Sequence, residues 1–211
     1  MKPAPRVGRP LAYTSEQLLD RLVQAVIDLL EEQGADADLS VAQIAARAKV
    51  SKKTVYTAIS SKEELIAHVI ARDAIRVTGM LDVAVDSAGA ARALLTRFLT
   101  QWVHRACGPT AVGIFVMAIR ERTRYPAIGA AYYGARQTYG FQKLADWLAR
   151  MDAAHWLAVP DPAMTAEFLL TLAASERQRQ LALGIPAALP DAALDARVAA
   201  ILQFVLTSDF S

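Results

Sequence analysis

Four times before Ile70, at Thr14, Ser40, Ser51 and Ser61, a hydroxyl side chain stands just ahead of apolar residues that recur at three- and four-residue spacing. Such a hydroxyl can accept from the N–H groups that the first turn of a helix leaves unsatisfied. The spacing gives each helix one apolar face. This pattern confines the segment to short amphipathic helices packed on one another. The first carries Leu19, Leu22, Val23, Val26, Ile27 and Leu30, with Thr14 and Gln17 as a capping box and Gly34 as its stop. The second opens at Ser40, with Gln43 three residues on, and presents Val41, Ile44, Ala45 and Ala48. The third runs from about Ser51 to Ile59. The fourth opens at Ser61, has Glu64 as its capping-box partner, and carries Leu65, Ile66, Val69 and Ile70.

Beyond Ser87, Ala, Leu and aromatic residues dominate. Gly108-Pro109, Pro126, Pro160-Asp161-Pro162 and Pro186 to Pro190 interrupt the helical periodicity. Helices are expected near 90–107, 110–123, 127–151, 162–183 and 191–207. No alternating run ends in a hairpin turn. The expected fold is therefore all-α, with about nine helices in total: an N-terminal three-helix helix-turn-helix domain, then an antiparallel helical domain. The divisions expected are a flexible basic arm over 1–14, a helix-turn-helix domain over 15–75, and a second helical domain over 76–211.

With 54% hydrophobic residues the chain can bury a large core, and at 21% charged it falls in the water-soluble class. The longest stretch without a charge, Ala106–Ile119, has 14 residues, short of the roughly 20 that span a bilayer. No membrane association is expected. The first thirteen residues lack the apolar segment of a signal peptide. The single Cys107 excludes an intrachain disulfide and suits a cytoplasmic setting.

The net charge of +2 conceals a strong asymmetry. Lys2, Arg6 and Arg9 precede the first helix without an acidic residue, and Arg47, Lys49, Lys52, Lys53 and Lys62 lie in the acid-free stretch 39–62. Two basic segments flanking an amphipathic helix point to a basic face, which attracts phosphate. In 40–59 two short helices flank a turn of about three residues, with Ala45 where the helices approach closely, Val50 after the turn and Val55 anchoring the second helix. That is a helix-turn-helix pattern, whose second helix enters the major groove of double-stranded DNA N-terminus first. Ser51, Lys52, Lys53 and Thr54 stand there, suited to phosphates and guanine acceptors, and Tyr56 adds a hydroxyl.

The motif Ser40-Val41, Ile44-Ala45, Ala48-Lys49-Val50-Ser51, Thr54-Val55-Tyr56, Ile59, Ser61-Lys62-Glu63-Glu64-Leu65 resembles the DNA-binding domain of the TetR family of repressors, over about 60 residues with its spacing kept. The resemblance implies phosphate contacts from Ser40, Tyr56 and Lys62, and base or phosphate contacts from Ser51, Lys52, Lys53, Thr54 and Thr57. It also implies a homodimer on a palindromic operator and release by a small-molecule effector. Two residues depart from the family pattern. Lys49 replaces a glycine in the turn, which costs roughly 1 kcal/mol if the backbone there is left-handed. Ile59 replaces an aromatic plug between the helices.

Arg6 and Arg9 suit either a solubilising tail or an arm reaching into the minor groove. In the second domain Trp102, Phe115, Met117, Tyr133 and Trp147 are candidates for a ligand cavity between helices. An apolar or aromatic effector is expected there. Phe168, Leu172, Val198, Ile201 and Leu202, on the last two helices, are candidates for a dimer-forming four-helix bundle.

Catalytic chemistry finds no footing. His68, His104 and His155 are scattered, no His-x-x-x-His or Cys-x-x-Cys occurs, and no glycine-rich phosphate loop follows a strand. No metal site, cofactor or enzymatic activity is expected. The primary reading is a ligand-responsive repressor. An activator of the same family remains open, as does, further off, a helical small-molecule carrier or enzyme.

Overall fold

The computed structural model describes residues 13–186 and 190–207. Among the described residues there is no strand, and nine helices follow in order. They begin with α1 (Ser15–Gln33), α2 (Val41–Arg47), α3 (Lys52–Ala58), α4 (Lys62–Thr78), α5 (Ala88–Ala106) and α6 (Pro109–Arg120). α7 is a rod over 126–153 in which the π-helical segment Arg136–Gln142 joins Pro126–Ala135 to Lys143–Ala153. α8, over 162–182, has the same construction, with Thr171–Ser175 between Pro162–Leu170 and Glu176–Ala182. α9 is Asp191–Thr207. The periodicity anticipates both rods but not their wide turns, which leave the apolar spacing almost intact.

The helix starts are set by local chemistry. The capping box at Thr14 and Gln17 closes in both directions. Ser40, Ser51 and Ser61 accept from the backbone N–H of Gln43, Thr54 and Glu64. The reciprocal arm at Ser61 is replaced, because the Glu64 carboxylate accepts instead from the N–H and hydroxyl of Ser60, both at 2.6 Å. Those bonds hold the Glu64 carboxyl below its ordinary range.

Two buried clusters organise the molecule. The first joins α1 to α4 through Leu22, Val26, Ile44, Val55 and Leu65, and takes in Ile114 and Met117 of α6 and Ile128 of α7. The second joins Leu95 and Phe98 of α5, Leu144 and Trp147 of α7, Leu169 of α8, and Leu194 and Val198 of α9. α4 runs between them: Leu65, Ile66 and Val69 sit in the first, Val77 in the second. A fully buried side chain of this size contributes about 1.5–3 kcal/mol, so α4 is fixed at both ends. No single helix among the described residues is long and apolar enough to cross a membrane, and the α5–α6 pair bends by 55° at its break.

Candidate nucleic-acid interface and effector cavity

The turn between α2 and α3 is built by its backbone. The Lys49 N–H bonds the Ala46 carbonyl at 3.1 Å and the Val50 N–H the Ala45 carbonyl at 3.0 Å. These are the paired bonds of a Schellman motif, which places residue 49 in the left-handed region. Lys49 does have φ of 54°. Arg21 of α1 reaches the same turn, its Nε donating to the Ala48 carbonyl at 2.5 Å while its guanidinium lies 5.1 Å from the centre of the Tyr13 ring. The turn is thus held from two sides, and the orientation of α3 follows from it. Val55 and Ile59 are buried beneath α3, so Ile59 fills the plug position with an aliphatic side chain.

The outer face of α3 is open. Ser51, Lys52, Lys53, Tyr56 and Thr57 are exposed and Thr54 is half-buried. The hydroxyls of Ser51 and Thr54 lie 2.8 Å apart, and the Thr57 hydroxyl donates to the Thr54 carbonyl at 2.7 Å. Ser40 caps α2 while its N–H and hydroxyl both bond the Asp38 carboxylate. Arg47, part of the basic stretch in sequence, is drawn away from this face into an ion pair with Glu32 of α1. Hydrogen bonding in that pair lowers the Glu32 carboxyl and raises the Arg47 guanidinium.

Lys62 opens α4 beside the far end of α6 and the start of α7. Its Nζ lies 5.4 Å from the centre of the Tyr125 ring, and the Arg124 guanidinium lies 5.1 Å from the same centre. Ser40, Tyr56, Lys62, Arg120, Arg124 and Tyr125 border one open cleft. Burial pushes the Lys62 ammonium below the ordinary lysine range. Lys62 is therefore both a candidate phosphate anchor and a contact with the second half of the molecule.

A mostly apolar cavity of about 80 Å³ lies between α4, α5, α6, α7 and α8. Ile70, Val77, Ala111 and Ile114 line it together with Trp102, Tyr132, Asp73, Arg105, Arg136 and Gln178. Asp73 and Arg105 form an ion pair between α4 and α5. Gln178, buried, accepts from the Tyr132 hydroxyl at 3.2 Å and donates to the Ala106 carbonyl at 2.7 Å. Arg136 donates to the Ser175 hydroxyl at 3.0 Å and lies over the Phe141 ring. Among the described residues the buried Nε1 of Trp102 and Nε of Arg105 have no hydrogen-bond partner. Gly140 gives Trp102 its place: a Cβ there would stand 2.7 Å from the indole ring.

Of Trp102, Phe115, Met117, Tyr133 and Trp147, Trp102 alone lines this cavity. Phe115 stacks on the cavity residue Tyr132, with ring centres 5.6 Å apart. Met117 is buried in the first cluster and Trp147 in the second, both as core. Tyr133 is 64% exposed, because it projects about 100° around α7 from Tyr132, toward the outer face. Among the dimer candidates, Leu172 is exposed, Phe168 and Leu202 are half-buried, and Val198 and Ile201 are buried within their own chain's core. A shared periodicity cannot tell a core stripe from a neighbouring surface stripe on the same helix. Arg6 and Arg9 lie outside the described residues.

The sequence model described as bacterial regulatory proteins, tetR family, matches residues 22–69, and that of the AefR-like transcriptional repressor C-terminal domain matches residues 93–208. The chain belongs to the TetR family. It is a transcriptional regulator with a helix-turn-helix DNA-binding domain and a C-terminal ligand-binding domain. A TetR-family regulator structure from Mesorhizobium loti MAFF303099 shares its fold at TM-score 0.71 and 21% identity, covering 91% of this chain and 98% of that one. The flavonoid-responsive regulator FrrA is similar at TM-score 0.62 and 28% identity, over 90% of this chain and 96% of its own. RolR in complex with resorcinol shares the fold at TM-score 0.58 and 18% identity, over 90% and 88%. No curated protein matches the chain significantly. Among the described residues no cluster of three or more His, Cys, Asp or Glu could hold a metal ion.

For this TetR-family regulator, sequence reasoning missed Asp73, Arg105, Arg136 and Gln178 in the cavity and Tyr125 at the anchor. Each pairs with a residue far away along the chain, so no local pattern marks it.

Proposed function

We propose that the chain is a repressor which binds a palindromic operator as a homodimer and releases it on binding a small apolar or aromatic effector in the cavity between α4, α5, α6, α7 and α8. The observation that carries this reading is the exposed row Ser51, Lys52, Lys53, Tyr56 and Thr57 on a helix whose entry turn is fixed from two sides. Ser40, Tyr56 and Lys62 are the phosphate anchors, and the α3 residues with Thr54 face the bases. The names of two similar structures, one flavonoid-responsive and one holding resorcinol, support a ring-containing effector.

Dimerisation follows from the operator. Two recognition helices must stand one DNA turn apart, about 34–36 Å. Leu172 of α8 and Phe204 of α9 are large apolar side chains 41% and 58% exposed, and they replace Val198 and Ile201 as the candidate contact residues. Replacing both with Glu is expected to give monomers by sedimentation, and a persisting dimer moves the interface elsewhere.

The test is a reporter promoter with the chain's bound sequence placed across its core elements. Output falls when the chain is expressed and recovers with a bound ring compound. A rise in output selects the activator reading, and an unchanged output removes both.

A further inference from the structure

Resting on the effector reading of the α4–α8 cavity, we propose that its ligand is a ring-containing anion, an aromatic carboxylate, which acts by taking Arg105 from Asp73. The charge of the lining points to an anion. Arg105 and Arg136 face a single carboxylate, Asp73, across otherwise mostly apolar walls. Asp73 already pairs with Arg105. Arg136 leans on a neutral hydroxyl and a ring, and among the described residues no carboxylate pairs with it. Trp102 and Arg105 each keep one buried N–H without an acceptor. Buried donors of this kind are expensive to leave unmade, and a charged acceptor satisfies them best.

The cavity is also small. An engineered apolar cavity of about 150 Å³ holds benzene, and this one has about 80 Å³. A single ring is therefore taken up whole only when a wall gives way. The ion pair between α4 and α5 is the wall whose bond the ligand's own carboxylate can replace. Exchange of Asp73 for the ligand keeps Arg105 paired while freeing α4 from α5.

The placement of these residues makes the exchange consequential. Asp73 lies eleven residues after Lys62 on α4, and Arg136 lies eleven after Tyr125, which stands at the start of α7. Lys62 and Tyr125 touch. The cavity charges thus sit about three turns along the same two helices from the phosphate anchor, roughly 16 Å at 1.5 Å per residue. A ligand that spreads α4 from its neighbours at the cavity acts on the contact of Lys62 with Tyr125 at the helix starts.

The experiment uses the full chain and four probes: benzoate and 1-naphthoate, with their neutral amides benzamide and 1-naphthamide. Binding is followed by calorimetry. A charge-assisted contact predicts that the acids bind at least about tenfold tighter than the amides. Arg105→Met is expected to abolish that preference. Asp73→Asn is expected to tighten the acids several-fold, because their competitor is gone, whereas a merely structural ion pair would weaken them or leave them unmoved. Amides that bind as well as acids, or an acid preference that survives Arg105→Met, overturn the proposal and leave the effector site standing. No heat from any of the four overturns both.

Discussion

The recognition turn and the effector cavity satisfy their polar groups in opposite ways. Around α3 most partners are near in sequence: Ser51 bonds Thr54, Thr57 bonds Thr54 and Ser40 bonds Gln43, each three residues apart, and the bond from Arg21 to Ala48, across 27, is the exception. In the cavity Arg105 meets Asp73 across 32 residues, Arg136 meets Ser175 across 39, and Gln178 meets Ala106 across 72. The first arrangement is a rigid local unit that presents side chains outward. The second exists only when several helices are in register, so a change in register is felt there first. A surface that must read DNA reproducibly suits the one, and a site that must respond to a ligand suits the other.

The widest test of that contrast is at α3. Replacing Lys52 and Lys53 together with Ala is expected to lower operator affinity by about 1–3 kcal/mol per lysine. The salt dependence should become shallower by about 0.9 for each lysine that contacts phosphate. Stability should stay unchanged, since both side chains are exposed. A matching loss of stability would show that the turn is not self-contained.

In the cavity the balance reverses. Trp102→Ala removes a buried indole from the second cluster. It is expected to destabilise the fold by about 3–5 kcal/mol. Thermal unfolding measures the loss, and a small change would mean that the surrounding helices collapse into the space.

Lys62 belongs to both regions, and pH separates its two roles. Burial lowers its folded-state pKa, so the unfolded chain holds its proton to higher pH. Between the lowered and the ordinary lysine value the stability of the free protein therefore rises with pH. Operator affinity should fall over the same range, because phosphate needs the ammonium. Lys62→Arg should flatten both trends, and titrations of unfolding and of operator binding read them independently.

The smallest expected effect is at Lys49. Its left-handed backbone predicts that Lys49→Gly stabilises the protein by roughly 1 kcal/mol. For a chain of this length that is about 2–4 °C in Tm. Operator affinity should drop slightly with the lost charge. An unchanged Tm would mean that Lys49 makes a compensating contact.

These differences also explain what could be read from the sequence. Hydroxyl caps and apolar spacing act within one helix, so α1 to α4 and the exposed residues of α3 are evident in the order of residues. The resemblance marks Lys49 as standing where glycine is usual, and the structure gives that position its left-handed backbone. Arg47 is not: its charge counts toward a basic face in the sequence, and only the packing of α2 on α1 brings it to Glu32. Asp73, Arg105 and Arg136 are three unremarkable surface-type residues until α4, α5 and α7 assemble. Trp147 and Met117 show the converse error, since a large apolar side chain in a helical bundle is core unless a cavity opens beside it.

The most direct measurement is selection of bound sequences from random double-stranded DNA by the full chain. The expected result is a palindrome whose half-sites are centred about one helical turn, 10–10.5 base pairs, or a multiple of it, apart. The chain carrying Lys52→Ala and Lys53→Ala is expected to fail to recover that palindrome. Enrichment of no sequence by the native chain, or the same palindrome from the altered one, would contradict the assignment of α3 as the element that reads DNA.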